Sequence, residues 1–264
     1  MGGARHPCRE GTPPSARRRR GVGTRDGARM STLVIALHGT RRPSGAIFAE
    51  GLRDAVSAEL PGVDVQLGFV DIHDELLATT VQRLDSSVIV PTFLAAGYHV
   101  AHDVAEAVRL SDGRAVATDH VGPDLVDAIH DRLVELGAPG DAVILAAIGS
   151  KRPGATAEVH ATAAHLSTLI GQPVHPGFIF ASQPSLEQAA TTLRALGHSR
   201  ITVATHALLP GRYQHHIAAL GLPASHPIGL HPRLVSAIAS RYRSTTGDRV
   251  MATAARTTRR LDPL

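Results

Sequence analysis

Residues 34–43, "VIALHGTRRP", return 110 positions later as "ILAAIGSKRP" at 144–153. Each copy is a short apolar run that ends in Gly, a hydroxyl residue, two bases and Pro. A run this short, closed by Gly and followed by Pro, reads as a buried strand. Proline is at ease at the first position of a helix, so each copy predicts strand, loop, helix. The copies part at one place, where His38 in the first stands opposite Ile148 in the second.

Outward from the first copy, β-rich runs at 32–37, 63–70, 86–92 and 114–118 alternate with helical patterns. Residues 43–60 set Phe48, Leu52, Val56 and Leu60 on one helical face, and 121–136 does the same with Val121, Leu125, Ile129 and Leu133. Strands separated by helices of this length pair in parallel, which predicts an α/β sheet covered on both faces. The pattern then restarts, with strands at 142–148, 174–180 and 200–206 and helices near 153–170, 182–196 and 230–243. "GFVDIHDELLATTVQRL" at 68–84 lines up with "GFIFASQPSLEQAATTL" at 177–193, and "LAAGYHVAHDV" at 94–104 with "LLPGRYQHHIA" at 208–218. The offset holds at 109–110 residues, the mark of a duplication. Two tandem α/β domains are therefore expected, 30–138 and 139–244, joined at "LGAPGDA" (136–142), with 245–264 as a loose tail lacking a clear period.

Residues 1–29 carry eight Arg against Glu10 and Asp26, a net +6, so the rest of a chain of net charge +4 comes to −2. The body is close to neutral, and with 3% aromatic residues it lacks stacking platforms, so no nucleic-acid partner is expected. The leader has no apolar run that would serve as a signal peptide or membrane span. It is read as an over-long gene start, with translation beginning at Met30; a disordered basic arm is the alternative. The one cysteine, Cys8, lies there, which leaves the body without disulfides or thiolate metal sites. A cytoplasmic protein with no membrane association is the expectation.

In open parallel sheets, ligand sites form beyond the carboxyl ends of the strands. His38 and Asp71 each stand at such an end, and His99 follows the third strand after a glycine-containing turn. Three polar residues thus reach one edge of the first sheet, while their counterparts in the second half are Ile148, Phe180 and Tyr213. One copy keeps the chemistry, and the other reads as scaffold with a packed strand end at Ile148. His102 and Asp103 follow His99 at helical spacing, so either they orient its ring or they are first-turn polar residues of the next helix. His73 and His120 read as surface residues. The chain has no G-x-S-x-G elbow, no Arg before His38-Gly39 and no G-x-x-x-x-G-K-[ST] loop, which sets aside α/β hydrolases, histidine phosphatases and P-loop nucleotide enzymes.

"HGTR" at 38–41, "GFVD" at 68–71 and "PTFLAAGYHVAHDV" at 91–104, in that order, resemble the sirohydrochlorin chelatases, the ATP-independent class II chelatases. The resemblance covers nearly all of residues 32–240. It implies that His38 and His99 are the two active-site histidines and that Asp103 is the acidic residue closing the second motif. At Asp71 the family usually carries Glu, one methylene longer. It also implies insertion of Fe²⁺ or Co²⁺ into a ring bearing eight carboxylates. Neutral imidazoles bind both ions and can accept the two pyrrole protons, and a carboxylate at Asp71 offsets the metal's charge. His38, Asp71 and His99 are accordingly the metal and catalytic candidates. Gly39, Thr40 and Arg41 are the candidate substrate contacts, although "RRP" reads equally as a solvated turn, since Lys151-Arg152-Pro153 repeats it in the half without ligands.

The expected function is a chelatase serving sirohaem or cobalamin synthesis. It has no resident cofactor, takes the divalent metal and sirohydrochlorin as its partners, and is monomeric because the duplication stands in for a dimer. A tetrapyrrole or metal carrier is the rival reading. A ligand set kept in one half favours the enzyme.

Overall fold

The computed structural model describes residues 1, 31–71, 76–137 and 140–261, with side chains to residue 247. The leader with Cys8 and Met30, as well as His73 and part of the proposed linker, lie outside the described residues. The first sheet takes β1 (Thr32–Leu37), β2 (Val65–Phe69), β3 (Ser87–Pro91) and β4 (Ala115–Ala117) in the order β2-β1-β3-β4, all parallel. The second takes β5 (Ala142–Ala147), β6 (Val174–Phe178) and β7 (Ile201–His206) in the order β6-β5-β7, also parallel. The registers are copies of each other. Leu33 lies opposite Val65 and Leu37 opposite Phe69, just as Val143 lies opposite Val174 and Ala147 opposite Phe178. The duplication read from sequence therefore extends to backbone pairing.

Both halves open their first crossover alike, as α1 (Pro43–Glu59) and α5 (Pro153–Ile170), each with an extended Arg before a Pro that fixes the first helical φ. The shorter helices are α2 (Leu77–Gln82), α3 (Ala105–Leu110), α4 (Val126–Val134), α6 (Leu186–Ala195) and α7 (Gln214–Ala219), and α8 (Pro232–Leu261) ends the described chain. Two starts differ from the expected ones. Residues 122–125 form a 3₁₀ turn around Pro123 before α4, and α6 begins at Leu186 because Ser185 and Gln188 make a reciprocal capping box. The loose tail expected from 245 is corrected as far as Leu261, since α8 continues through it. Arg243 reaches back to the Glu59 carboxylate and carbonyl at 3.1 and 2.8 Å, and no Pro interrupts the helix before Pro263. The threonines and Gly247 blurred the helical period without stopping the helix.

Alternation along the strands sorts the core. Val34 and Ala36 pack with Leu77, Val81 and Val104 on the outer face of the first sheet, and Ile144 and Ala146 pack with Leu186 and Leu193 on that of the second. The opposite faces, with Leu33, Ile35 and Leu37 from β1 and Val143, Leu145 and Ala147 from β5, share one core between the halves. Helices α1, α4, α5 and α8 fill that layer, and two of them have changed places. The last helix of the first half, α4, packs on β7 and α5, while α8 packs on β3 and α1. The Tyr242 hydroxyl closes the exchange by donating to the Ser31 carbonyl at 2.6 Å. The sequential division at 136–142 thus describes the repeat along the chain, whereas in space each half is completed by a helix of the other.

Candidate metal centre

The order β2-β1-β3 sets the three candidate strand ends side by side. Val70 N–H bonds to the Leu37 carbonyl, and Thr92 N–H to that of Ala36, which fixes the exits of β2 and β3 beside β1. His38 then stands at the end of β1 and Asp71 two residues past β2. His99 caps a π-turn, Val100–Val104, that leads into α3. Such turns recur at functional sites because they re-aim side chains within a helix.

The geometry is tight. His38 Nδ1 lies 2.5 Å from Asp71 Oδ1, His99 Nε2 lies 4.0 Å from Asp71 Oδ2, and the two rings are 4.9 Å apart. One donor atom from each residue falls within 4.8 Å of the others. Asp71 Oδ1 is close enough to His38 for an ion pair, yet the angle is not that of a hydrogen bond, and this buried oxygen has no donor among the described residues. A carboxylate oxygen out of water and facing nitrogen lone pairs suits a cation.

Asp103 lies against the ring of His99. Its Oδ2 lies 2.6 Å from His99 Nδ1, one π-turn away. If Nδ1 carries the proton and donates it there, the lone pair of Nε2 is left toward Asp71. His102 does not share that role, which corrects the expectation. It is exposed and packs its ring on Tyr98 at 4.3 Å, because the wider π-turn carries it to the outside. Among the loop candidates, Gly39 is buried and Arg41 is exposed with no ion pair among the described residues. Thr40 holds the turn, its Oγ1 accepting from Arg42 N–H at 3.1 Å and its methyl lying against Gly45.

The centre opens into a cavity of about 420 Å³ between the halves, bounded by His38, Tyr98 and His99 on one side and Ile148, Phe178 and His206 on the other. Ile148 is 46% exposed, so its expected packing as a strand end is corrected to an apolar wall facing the two histidines. Tyr213 is buried and donates to the Leu209 carbonyl at 2.6 Å, and burial holds its phenol far above its ordinary value. A wider groove of about 790 Å³ between β4 and α8 contains charges that are already paired, such as Arg241 with Asp124 at 2.8 Å.

The sequence left Glu158 and His206 unmarked here, and the surface reading of His120 is corrected. His120 is buried, not superficial, and its Nε2 lies 3.1 Å from Glu158 Oε2 across the two halves. His206, at the end of β7, is buried with Nε2 unpartnered among the described residues, and burial first, then the neighbouring His120, push its pKa down to about 4. No local motif marks any of them. Only the position of His206 at a strand end, the signal that found His38, pointed to it.

A family model, CbiX, matches the chain twice, over residues 32–136 and 142–245. The chain belongs to the CbiX family. No curated protein sequence matches it significantly. Among solved structures it is similar to SirB from Bacillus subtilis with Fe³⁺, at 21% identity and TM-score 0.70, over 82% of this chain and 96% of that one. It is also similar to the sirohydrochlorin chelatase SirB from Bacillus subtilis subspecies spizizenii in complex with cobalt, at 19% identity and TM-score 0.65, covering 82% and 95%. A third is CbiX, described as the terminal enzyme for biosynthesis of siroheme in denitrifying bacteria, at 22% identity and TM-score 0.61, covering 81% and 98%. At these identities the likeness is one of fold.

Proposed function

We propose that this CbiX-family chain is a sirohydrochlorin chelatase that inserts Fe²⁺ or Co²⁺ into the ring as a substrate, not as a resident cofactor. The observation that carries the proposal is the convergence of His38, Asp71 and His99, with donor atoms within 4.8 Å, at the mouth of a cavity between the halves. Metal-bound and sirohydrochlorin-related neighbours support the reading. Insertion exchanges one divalent cation for two pyrrole protons. His38 and His99 present the metal through imidazole nitrogens, and Asp71 offsets its charge. Asp103 orients His99 so that Nε2 stays free. As the metal leaves for the ring, the same imidazoles and carboxylate accept the outgoing protons and pass them to water. Three ligands without a thiolate hold the ion loosely enough to release it. Arg41, exposed beside the centre, pairs with a peripheral carboxylate of the ring. The chain works as a monomer in the cytoplasm.

The test is anaerobic incubation of the purified protein with sirohydrochlorin and either ion, followed by the absorbance of the macrocycle. Metallation beyond one equivalent per chain and faster than the protein-free rate is expected. Saturable binding of ring or metal with no acceleration assigns a carrier instead.

A further inference from the structure

The second half has lost all three ligand positions, yet it supplies a carboxylate to the first. Glu158, on α5, stands where α1 carries the buried Phe48, 110 residues earlier. Its Oε2 accepts from Ala96 N–H at 2.7 Å and lies 3.1 Å from His120 Nε2. Ala96 belongs to the loop between β3 and the π-turn, three residues before His99. The other end of His120 returns to the same loop, because its Nδ1 is 3.2 Å from the Phe93 carbonyl and 3.2 Å from Gly122 N–H. Gly122 is pressed on the loop as well, and a Cβ there would fall 2.2 Å from the Leu94 carbonyl oxygen. Positions 93, 94 and 96 are therefore gripped from below by groups that meet at one carboxylate oxygen. His120 Nδ1 faces a donor and an acceptor at equal distance. It can accept from Gly122 when neutral or donate to Phe93 when charged, and Nε2 donates to Glu158 in either case.

We infer that Glu158 is a positioning residue for the metal-presenting loop of the other half, with His120 as the link that holds it there. The inference rests on the reading of His99 as a metal-presenting group. It gives the degenerate repeat a task in the reaction beyond enclosing the ring. The loop takes its conformation from a side-chain oxygen supplied by the other half. A carboxylate taking two donors fixes such a loop more firmly than neutral partners do. The brace acts on where His99 Nε2 sits, not on the chemistry of the ring.

The test is titration of the purified full-length protein with Co²⁺ alone, reading the d–d absorption bands and the Kd, with no tetrapyrrole present. Glu158→Ala is expected to weaken Co²⁺ about tenfold, at the lower edge of what loss of a ligand's supporting hydrogen bond costs, and to alter the band pattern. Glu158→Gln is expected to return within about threefold of wild type, since one amide oxygen accepts from both donors. Glu158→Asp keeps the charge but falls one methylene short, so it should behave like the alanine variant, and it serves in its place if that variant does not fold. A wild-type spectrum and Kd in folded Glu158→Ala or Glu158→Asp overturn the inference. So does a Gln variant as weak as Ala. His99→Ala is the separate control: if it leaves Co²⁺ binding intact, the assignment of the centre fails, whatever Glu158 does.

Discussion

His38 and His99 turn different nitrogens toward Asp71, Nδ1 in one case and Nε2 in the other, and among the described residues only His99 has a second carboxylate behind it. Asp103→Asn exchanges a pure acceptor for an amide that can donate to Nδ1, which would leave the proton on Nε2, facing the metal. Co²⁺ affinity should drop by about 10–100-fold with little change in melting temperature. His38→Ala and His99→Ala should each remove most of the metallation rate. The double variant should lose little more, because groups that act as a unit fail together. Turnover per folded molecule for the three variants checks this. His206 makes a prediction of a different kind. Its ordinary pKa of 6.5 is lowered to about 4 in the folded chain, so between those values the unfolded state binds more protons. Stability therefore falls as pH drops from about 6.5 toward 4, by up to roughly 3 kcal/mol from this group. His206→Gln should flatten the melting-temperature profile across that window and leave it unchanged at pH 8.

At the scale of elements, strand ends were legible and partners across the molecule were not. The edge shared by His38, Asp71 and His99 follows from parallel βαβ order alone, which is why the trio could be read from one sequence. The aspartate at 103 was legible too, since i and i+4 meet on any helical turn. His102 was misread because a helical pattern does not announce a π-turn, and in a regular helix it would lie closer to the same face. His120, Glu158 and Ile148 were missed or misplaced because burial periodicity reveals that a face is covered but not by what. His120 and Glu158 meet across the two repeats, and Ile148 faces the other repeat over the open cavity. Gly122 tests this crowded junction. Gly122→Ala forces its new methyl against the Leu94 backbone, which cannot swing away as a side chain tip can. A loss of about 1–3 kcal/mol in urea unfolding is expected, the range typical of overpacking, together with weaker Co²⁺ binding through displacement of the loop. Wild-type stability and binding in that variant would mean that the loop is not held from this side.

At the scale of the molecule, the exchange of α4 and α8 ties the sheet of each repeat to a helix of the other. Ile238, fully buried on α8, sits in the shared core with Leu33, Ile35 and Val90 of the first sheet. Ile238→Ala should cost about 2–5 kcal/mol, as large-to-small changes in a core do. The amides that lose hydrogen-exchange protection first should be those of β1 and β3, although the substitution lies in the second repeat. Preferential loosening of β5 and β7 would show that α8 stabilises its own half instead. The exchange also sets an order of events during synthesis. When the first repeat leaves the ribosome, α8 is still missing from the strand face it will share with α1, and at about 5–20 residues per second that helix follows roughly ten seconds later. Through that interval the core around Leu33, Ile35 and Val90 lacks one of its covering helices, which leaves a surface for chaperones or for misassociation with a neighbouring chain. The metal centre, whose loop is braced by Glu158, takes its final shape only after α5 has also been made.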